Sequence, residues 1–113
     1  MDNDIKISVI IVNYRVKYFL AQTIHAAIEA LKEIPHEIYV VDNNSGDDSV
    51  EYSKNLFPGV IFIENKENTG FARANNQAIR LAKGKYCLIL NPDTIITKEA
   101  VTAAVNKMET DER

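Results

Sequence analysis

Ile5-Lys-Ile-Ser-Val-Ile-Ile-Val12 (IKISVIIV), followed by Asn13-Tyr14-Arg15, decides the fold. The stretch is dense in β-branched residues and closes in an unbroken apolar run from Val9 to Val12. Such a run marks a strand buried on both faces, the condition of a central strand in a parallel sheet. Working outward, Leu20, Ile24, Ala27, Ile28 and Leu31 recur at steps of three and four and predict a helix over 17–33, stopped by Pro35. Glu37–Val41 (EIYVV) reads as a second strand. The cap- and turn-forming cluster Asp42–Asp48 (DNNSGDD) follows, with Asp47 or Asp48 placed to cap a short helix over 49–56. Pro58-Gly59 breaks that helix before a third strand, Val60–Glu64 (VIFIE). A helix over 71–82 would turn Ala74, Ala78, Leu81 and Ala82 inward, with Gly84 suited to the position past its end. Tyr86–Leu90 (YCLIL) is the fourth strand, its Cys87 expected to be buried, and Thr97 caps a last helix over 98–108.

Strict alternation of strand and helix predicts an α/β fold, a mostly parallel sheet with helices on both faces and right-handed crossovers. No linker or repeat divides the 113 residues, so residues 1–113 form one unit. In such sheets ligands bind beyond the carboxyl ends of the strands. Each strand here delivers polar groups to that edge. These are Asn13-Tyr14-Arg15, Asp42-Asn43-Asn44, the loop Asn65–Gly70, and Asn91-Pro92-Asp93.

Composition narrows the function. Thirteen Lys and Arg against 16 Asp and Glu give a net charge of −3, the wrong sign for a chain built to grip nucleic acid. Hydrophobic residues at 46% exclude wholesale disorder. A single cysteine can form neither an internal disulfide nor a thiolate metal cage, and the longest apolar run is far too short to span a bilayer. These features fit a soluble cytoplasmic protein. The G-x-G-x-x-G dinucleotide fingerprint, the P-loop, H-E-x-x-H, C-x-x-C and G-x-S-x-G are all missing. A phosphorylation-receiver domain needs acids after the first strand, where this chain has Asn13.

Four segments carry a resemblance: SVIIVNY (8–14), VVDNNSGDDS (40–49), ENTGFARANNQAI (67–79) and GKYCLILNPDT (84–94). Their order and spacing resemble the nucleotide-binding half of family-2 glycosyltransferases of GT-A-type fold, and NPDT with GFAxxNN resembles the rhamnosyltransferase-like branch. The resemblance implies strand order 3-2-1-4. It also implies inverting transfer of a sugar from a UDP- or dTDP-linked donor to a carbohydrate or lipid-linked acceptor, in cell-wall polysaccharide synthesis at the cytoplasmic face of the membrane. Residue by residue, it puts Val12, Asn13 and Tyr14 around the base, largely through backbone groups. Asp42 would accept from the base imide N–H. Asn68 and Gly70 would lie at the base or diphosphate, and Asn76 near the nucleotide. Asn91 would reach a ribose hydroxyl, and Asp93 would bind the metal, Mg²⁺ or Mn²⁺.

The sequence departs from that pattern in three ways. Asn91 replaces the first acid of the family's D-x-D-like motif, and Asn75 stands where many members carry Arg. The acceptor half with its catalytic base would lie beyond Arg113, so the resemblance makes this the N-terminal part of a longer domain, binding donor without turnover. Other readings stay open on the residues alone. Asp42 and Asn91–Thr94 both suit ligand-free turns. Tyr14 suits core packing as well as base stacking. The whole chain could serve as a non-catalytic nucleotide-binding or interaction module. With strand four at an edge, its unpaired groups predict a homodimer through that edge.

Overall fold

The computed structural model describes residues 5–111. Four strands alternate with four helices: β1 Ile7–Asn13, α1 Lys17–Ala30, β2 His36–Asp42, α2 Ser49–Leu56, β3 Ile61–Glu64, α3 Phe71–Leu81, β4 Tyr86–Leu90 and α4 Lys98–Asp111. All pairings are parallel and the strand order is β3-β2-β1-β4. The register pairs Asn13 with Asp42, Asp42 with Glu64 and Ile11 with Leu90. The polar ends of the strands therefore lie along one edge.

β1 is buried at every residue, as its apolar run requires. Val9 and Ile11 join Ile38, Val40 and Leu90 in one core, closed by Leu20, Ile24 and Ala27 of α1 and Val101 and Val105 of α4. Ile10 and Val12 face the other way, with Tyr39 and Val41, against Ala74 and Ala78 of α3. Helices thus cover both faces. The two alanines, each without exposed surface, let α3 sit close to β1 and β2.

Several local expectations change. α1 ends at Ala30, and the chain turns with Ile34 N–H donating to Leu31 O at 2.8 Å. Pro35 accounts for this, because its ring disfavours the helical region for the residue before it. α3 stops at Leu81, whose side chain is exposed, so the inner face is carried by Ala74, Asn75 and Ala78. Asp47 rather than Asp48 engages the start of α2: its Oδ1 accepts from Ser49 N (3.0 Å) and Ser49 Oγ (2.6 Å). Thr97 caps α4 as expected, its Oγ1 accepting from Ala100 N at 3.1 Å.

Gly84 is not a left-handed helix terminator. A Cβ there would lie 2.6 Å from Ser8 N and 2.8 Å from the Ile7 carbonyl carbon, so the residue is small because β1 passes against it. Cys87 is exposed, not buried. It pairs in register with Ser8 and Ile89 with Ile10, on the face that α3 covers chiefly over β1 and β2, and Ile89 stays 45% exposed.

Candidate functional site

The edge where the four strands end is built around Asn13. Its side chain has no exposed surface, and its Nδ2 lies 2.8 Å from Asp42 Oδ1, 2.8 Å from Ser49 Oγ and 3.2 Å from Ser45 Oγ. Asp42, 7% exposed, also accepts from Ser45 Oγ on Oδ1 (2.6 Å) and from Ser45 N on Oδ2 (3.1 Å). Ser45 Oγ in turn accepts from Arg15 N at 2.9 Å, and Arg15 Nε donates to Ser45 O at 2.7 Å. Arg15 (φ 58°) and Asn44 (φ 62°) both hold left-handed backbone, a conformation that costs a residue such as Arg roughly 1–2 kcal/mol and that Asn tolerates. A strained Arg15 hydrogen-bonded to the serine that holds the buried carboxylate is the kind of local cost that a well-determined site sustains.

Beside this cluster, Asp47 is held below the usual carboxylate range, chiefly by the Ser49 hydroxyl, with help from the Ser49 N–H and the Arg15 charge. Asn43 ties the next loop to β2. Its Oδ1 accepts from Asn65 Nδ2 (3.0 Å), Thr69 N (3.2 Å) and Thr69 Oγ1 (3.1 Å), and its Nδ2 donates to Gly70 O (3.2 Å). Asn65 and Gln77 exchange two amide hydrogen bonds, of 2.8 and 2.9 Å, which fix this loop to α3. Asn68 Oδ1 accepts from Gly70 N at 2.9 Å. Gly70 adopts φ 86°, ψ 163°, a conformation only glycine takes freely, and no side chain caps α3 after it.

Asn13, Asp42 and Gly70 therefore belong to linked networks on one rim. The Val12 side chain lies in the core against α3, leaving its backbone at the edge. Tyr14 is 43% exposed, with the Arg15 guanidinium 5.0 Å from its ring centre. Asn76 stands apart on the outward face of α3, beside Thr69, Arg73, Gln77 and Arg80. Asn75, its neighbour, is the buried one, its Nδ2 donating to Phe71 O at 3.1 Å. Asn91 and Asp93 are exposed on a turn closed by Thr94 N–H to Asn91 O at 3.0 Å. That turn leaves β4 next to β1, without a hydrogen bond from Asp93 to the Asp42 cluster among the described residues.

No three His, Cys, Asp or Glu side chains gather to hold a metal among the described residues. Asp93 offers a single exposed carboxylate. That donor set fits a Mg²⁺-like ion held mainly by substrate phosphates and water, with one protein acid, and does not fit a preformed all-protein cage.

Sequence reading missed the roles of Ser45, Ser49 and Gln77, and took Asn43 and Asn65 only as polar groups at the edge. Asn43 and Ser45 lie in the Asp42–Asp48 cluster, where they read as turn formers, and Ser49 reads only as the first residue of the short helix. Ser45 and Ser49 also bond to Asp42 and Asp47 close by, but the contacts that join them to Asn13 span 32 and 36 residues, which local pattern does not announce.

A family description, "Glycosyl transferase family 2", matches residues 8–113. The chain belongs to this family. As a family-2 sequence it is 31% identical over 101 residues to the poly(ribitol-phosphate) beta-glucosyltransferase of Bacillus spizizenii, covering 85% of this chain and 16% of that protein. It is 30% identical over 107 residues to the Escherichia coli UDP-Glc:alpha-D-GlcNAc-diphosphoundecaprenol beta-1,3-glucosyltransferase WfaP, covering 93% and 42%. The chain thus spans less than half the length of either relative. Among solved structures, S. aureus TarS in complex with UDP-GlcNAc superposes with a TM-score of 0.80 at 22% identity, over 94% of this chain and 32% of that one. The mannosyltransferase PcManGT from Pyrobaculum calidifontis, in complex with GDP-Man and Mn2+, gives 0.79 at 24%, over 93% and 32%. These superpositions show that the fold is shared with both structures. No described helix is long and apolar enough to cross a membrane.

Proposed function

We propose that this family-2 chain is the donor-binding part of an inverting, metal-assisted glycosyltransferase, residues 1–113 being one nucleotide-sugar-binding unit of a longer domain. The observation that carries the reading is the Asp42 cluster. A carboxylate is buried at the carboxyl edge of a parallel sheet and accepts three hydrogen bonds. One further acceptor position on Oδ2 remains for an N–H donor.

A uracil or thymine imide supplies that N–H, with the Tyr14–Arg15 pair flanking the base and the backbone of Val12 and Asn13 along it. Gly70 lets the diphosphate approach the start of α3, whose uncapped N–H groups favour negative charge. Asn68 would meet that group beside Gly70 and Asn91 would reach the ribose, while Asn76, on the outward face of α3, would approach the nucleotide from outside this rim. Asp93 would hold Mg²⁺ or Mn²⁺, and such an ion, when bound, would supply positive charge to offset that developing on the leaving nucleoside diphosphate. An acceptor hydroxyl, on a carbohydrate or a lipid-linked saccharide, attacks the anomeric carbon in line. The new C–O bond forms as the sugar–phosphate bond breaks, and the configuration inverts. The general base is none of these residues. The lipid-diphosphate acceptor in the name of WfaP supports placing the reaction at the cytoplasmic face of a membrane, in surface-polysaccharide synthesis.

Calorimetric titration with UDP and dTDP, with and without Mn²⁺, tests the reading. Binding of at least one, strengthened by Mn²⁺, is expected. Absence of binding by any nucleoside diphosphate would sink it. Asp93→Ala should abolish the Mn²⁺ dependence and leave metal-free binding in place. A second reading, a non-catalytic nucleotide-binding module, predicts the same binding; sugar transfer by the purified protein eliminates it. The open edge of β4 with exposed Cys87 and Ile89 supports self-association through that edge.

A further inference from the structure

Thr23 lies in the middle of α1, outside every motif, and its side chain has no exposed surface. A buried threonine hydroxyl inside a helix commonly bonds back to the carbonyl one turn earlier. This one reaches across the fold instead: Thr23 Oγ1 donates to the carbonyl oxygen of Pro92, 69 residues away. Pro92 is inside the Asn91–Thr94 turn, and its acceptor is the carbonyl of the peptide that leads into Asp93. Among the described residues, this is the one side-chain hydrogen bond made to the turn.

The geometry leaves the Asp93 carboxylate few other constraints. It is exposed, and its turn is tied to the sheet on one side only, where Leu90 pairs with Ile11. The Pro92–Asp93 peptide is planar, so the anchored carbonyl and the N–H and Cα of Asp93 are oriented together. An exposed acid on a turn is a poor ligand unless the turn is held, because each freely rotating conformer dilutes the productive one.

We infer that Thr23 is a positioning residue: its hydroxyl clamps the Pro92–Asp93 peptide so that the Asp93 carboxylate is presented to a donor-bound divalent cation. The inference rests on the proposed metal role of Asp93. It adds a residue of α1 that no motif contains, and it makes α1 part of the cation site through one buried hydroxyl. Partners that orient metal ligands typically contribute about 10–100-fold to metal affinity.

The test uses UDP as the probe and four proteins: wild type, Thr23→Val, Thr23→Ser and Asp93→Asn. Each is titrated with UDP in excess Mn²⁺ and again in EDTA, and Mn²⁺ bound in the UDP complex is followed by electron paramagnetic resonance. Thr23→Val keeps the shape and removes the hydroxyl. It should lose about tenfold or more of the Mn²⁺-dependent gain in UDP affinity, with affinity in EDTA unchanged. Thr23→Ser should restore the gain and the spectrum. If the valine variant fails to fold, Thr23→Cys, of similar shape but a weak donor, carries the same expectation. A full Mn²⁺ gain in Thr23→Val (or, in its place, Thr23→Cys) overturns the inference. So does an equal loss with and without Mn²⁺, which would make Thr23 merely structural. If Asp93→Asn itself retains the gain, the metal role of Asp93 has failed, and the inference falls with it.

Discussion

Asn13→Ala probes the centre of the site. The asparagine Nδ2 is the shared donor for Asp42 Oδ1 (2.8 Å) and Ser49 Oγ (2.8 Å), 29 and 36 residues away. A hydrogen bond to a charged group contributes about 1.5–3 kcal/mol and one to a neutral group about 0.5–1.5 kcal/mol, so deletion removes roughly 2–4.5 kcal/mol. Against this, Asn13 Oδ1 is buried without a partner among the described residues, and its removal returns about 1 kcal/mol or more of desolvation cost. The expected net destabilisation is about 1–3 kcal/mol, a large share of the roughly 5–15 kcal/mol available to a domain but insufficient to unfold it. Urea denaturation reads this as a lower midpoint at unchanged slope. UDP affinity should fall as well, because Asp42 loses a donor that orients it. A midpoint shift equivalent to less than about 0.5 kcal/mol, the size of a bland surface change, would refute the buried hub. Lost stability with UDP affinity intact would refute its link to the base site.

Three further outcomes are expected. Gly84→Ala drives a methyl into Ser8 N and the Ile7 backbone, so overpacking should cost about 1–3 kcal/mol, read as a lower Tm; an unchanged Tm would contradict the close approach. Glu109 is lowered from 4.5 to about 2, chiefly by the Tyr86 hydroxyl, then by Lys85 and Lys6. Because its folded value is the depressed one, its stabilising contribution is complete above 4.5 and is lost as pH falls through about 2. The Tm difference between wild type and Glu109→Gln should therefore shrink over that window; a pH-independent difference would contradict the assignment. Ile89→Lys places a charge on the uncovered face of β4 and should reduce self-association in light scattering; a wild type that stays monomeric at every concentration would contradict pairing through that edge.

The sequence by itself determined the order of elements, the parallel sheet and the edge at which polar groups collect. Local pattern suffices for these, since a run such as VIIV can be satisfied only between two covered faces, and caps such as Thr97 act within one turn. Only the tertiary structure decided what those polar groups do. Asn13 and Asp42 are 29 residues apart, and they meet because the β1–β2 register puts them opposite one another. Whether Asn75 or Asn76 turns inward depends on the phase of α3 against the sheet, which periodicity leaves uncertain by a residue. Cys87 has the composition of a core position, yet it is exposed because α3 is seated chiefly over β1 and β2. Thr23 carries no local signature, because its partner is supplied by a turn that only the completed fold brings beside α1. Chemistry that belongs to single residues and short periods can be read along a chain; chemistry shared between distant residues exists only once the register and the packing are set.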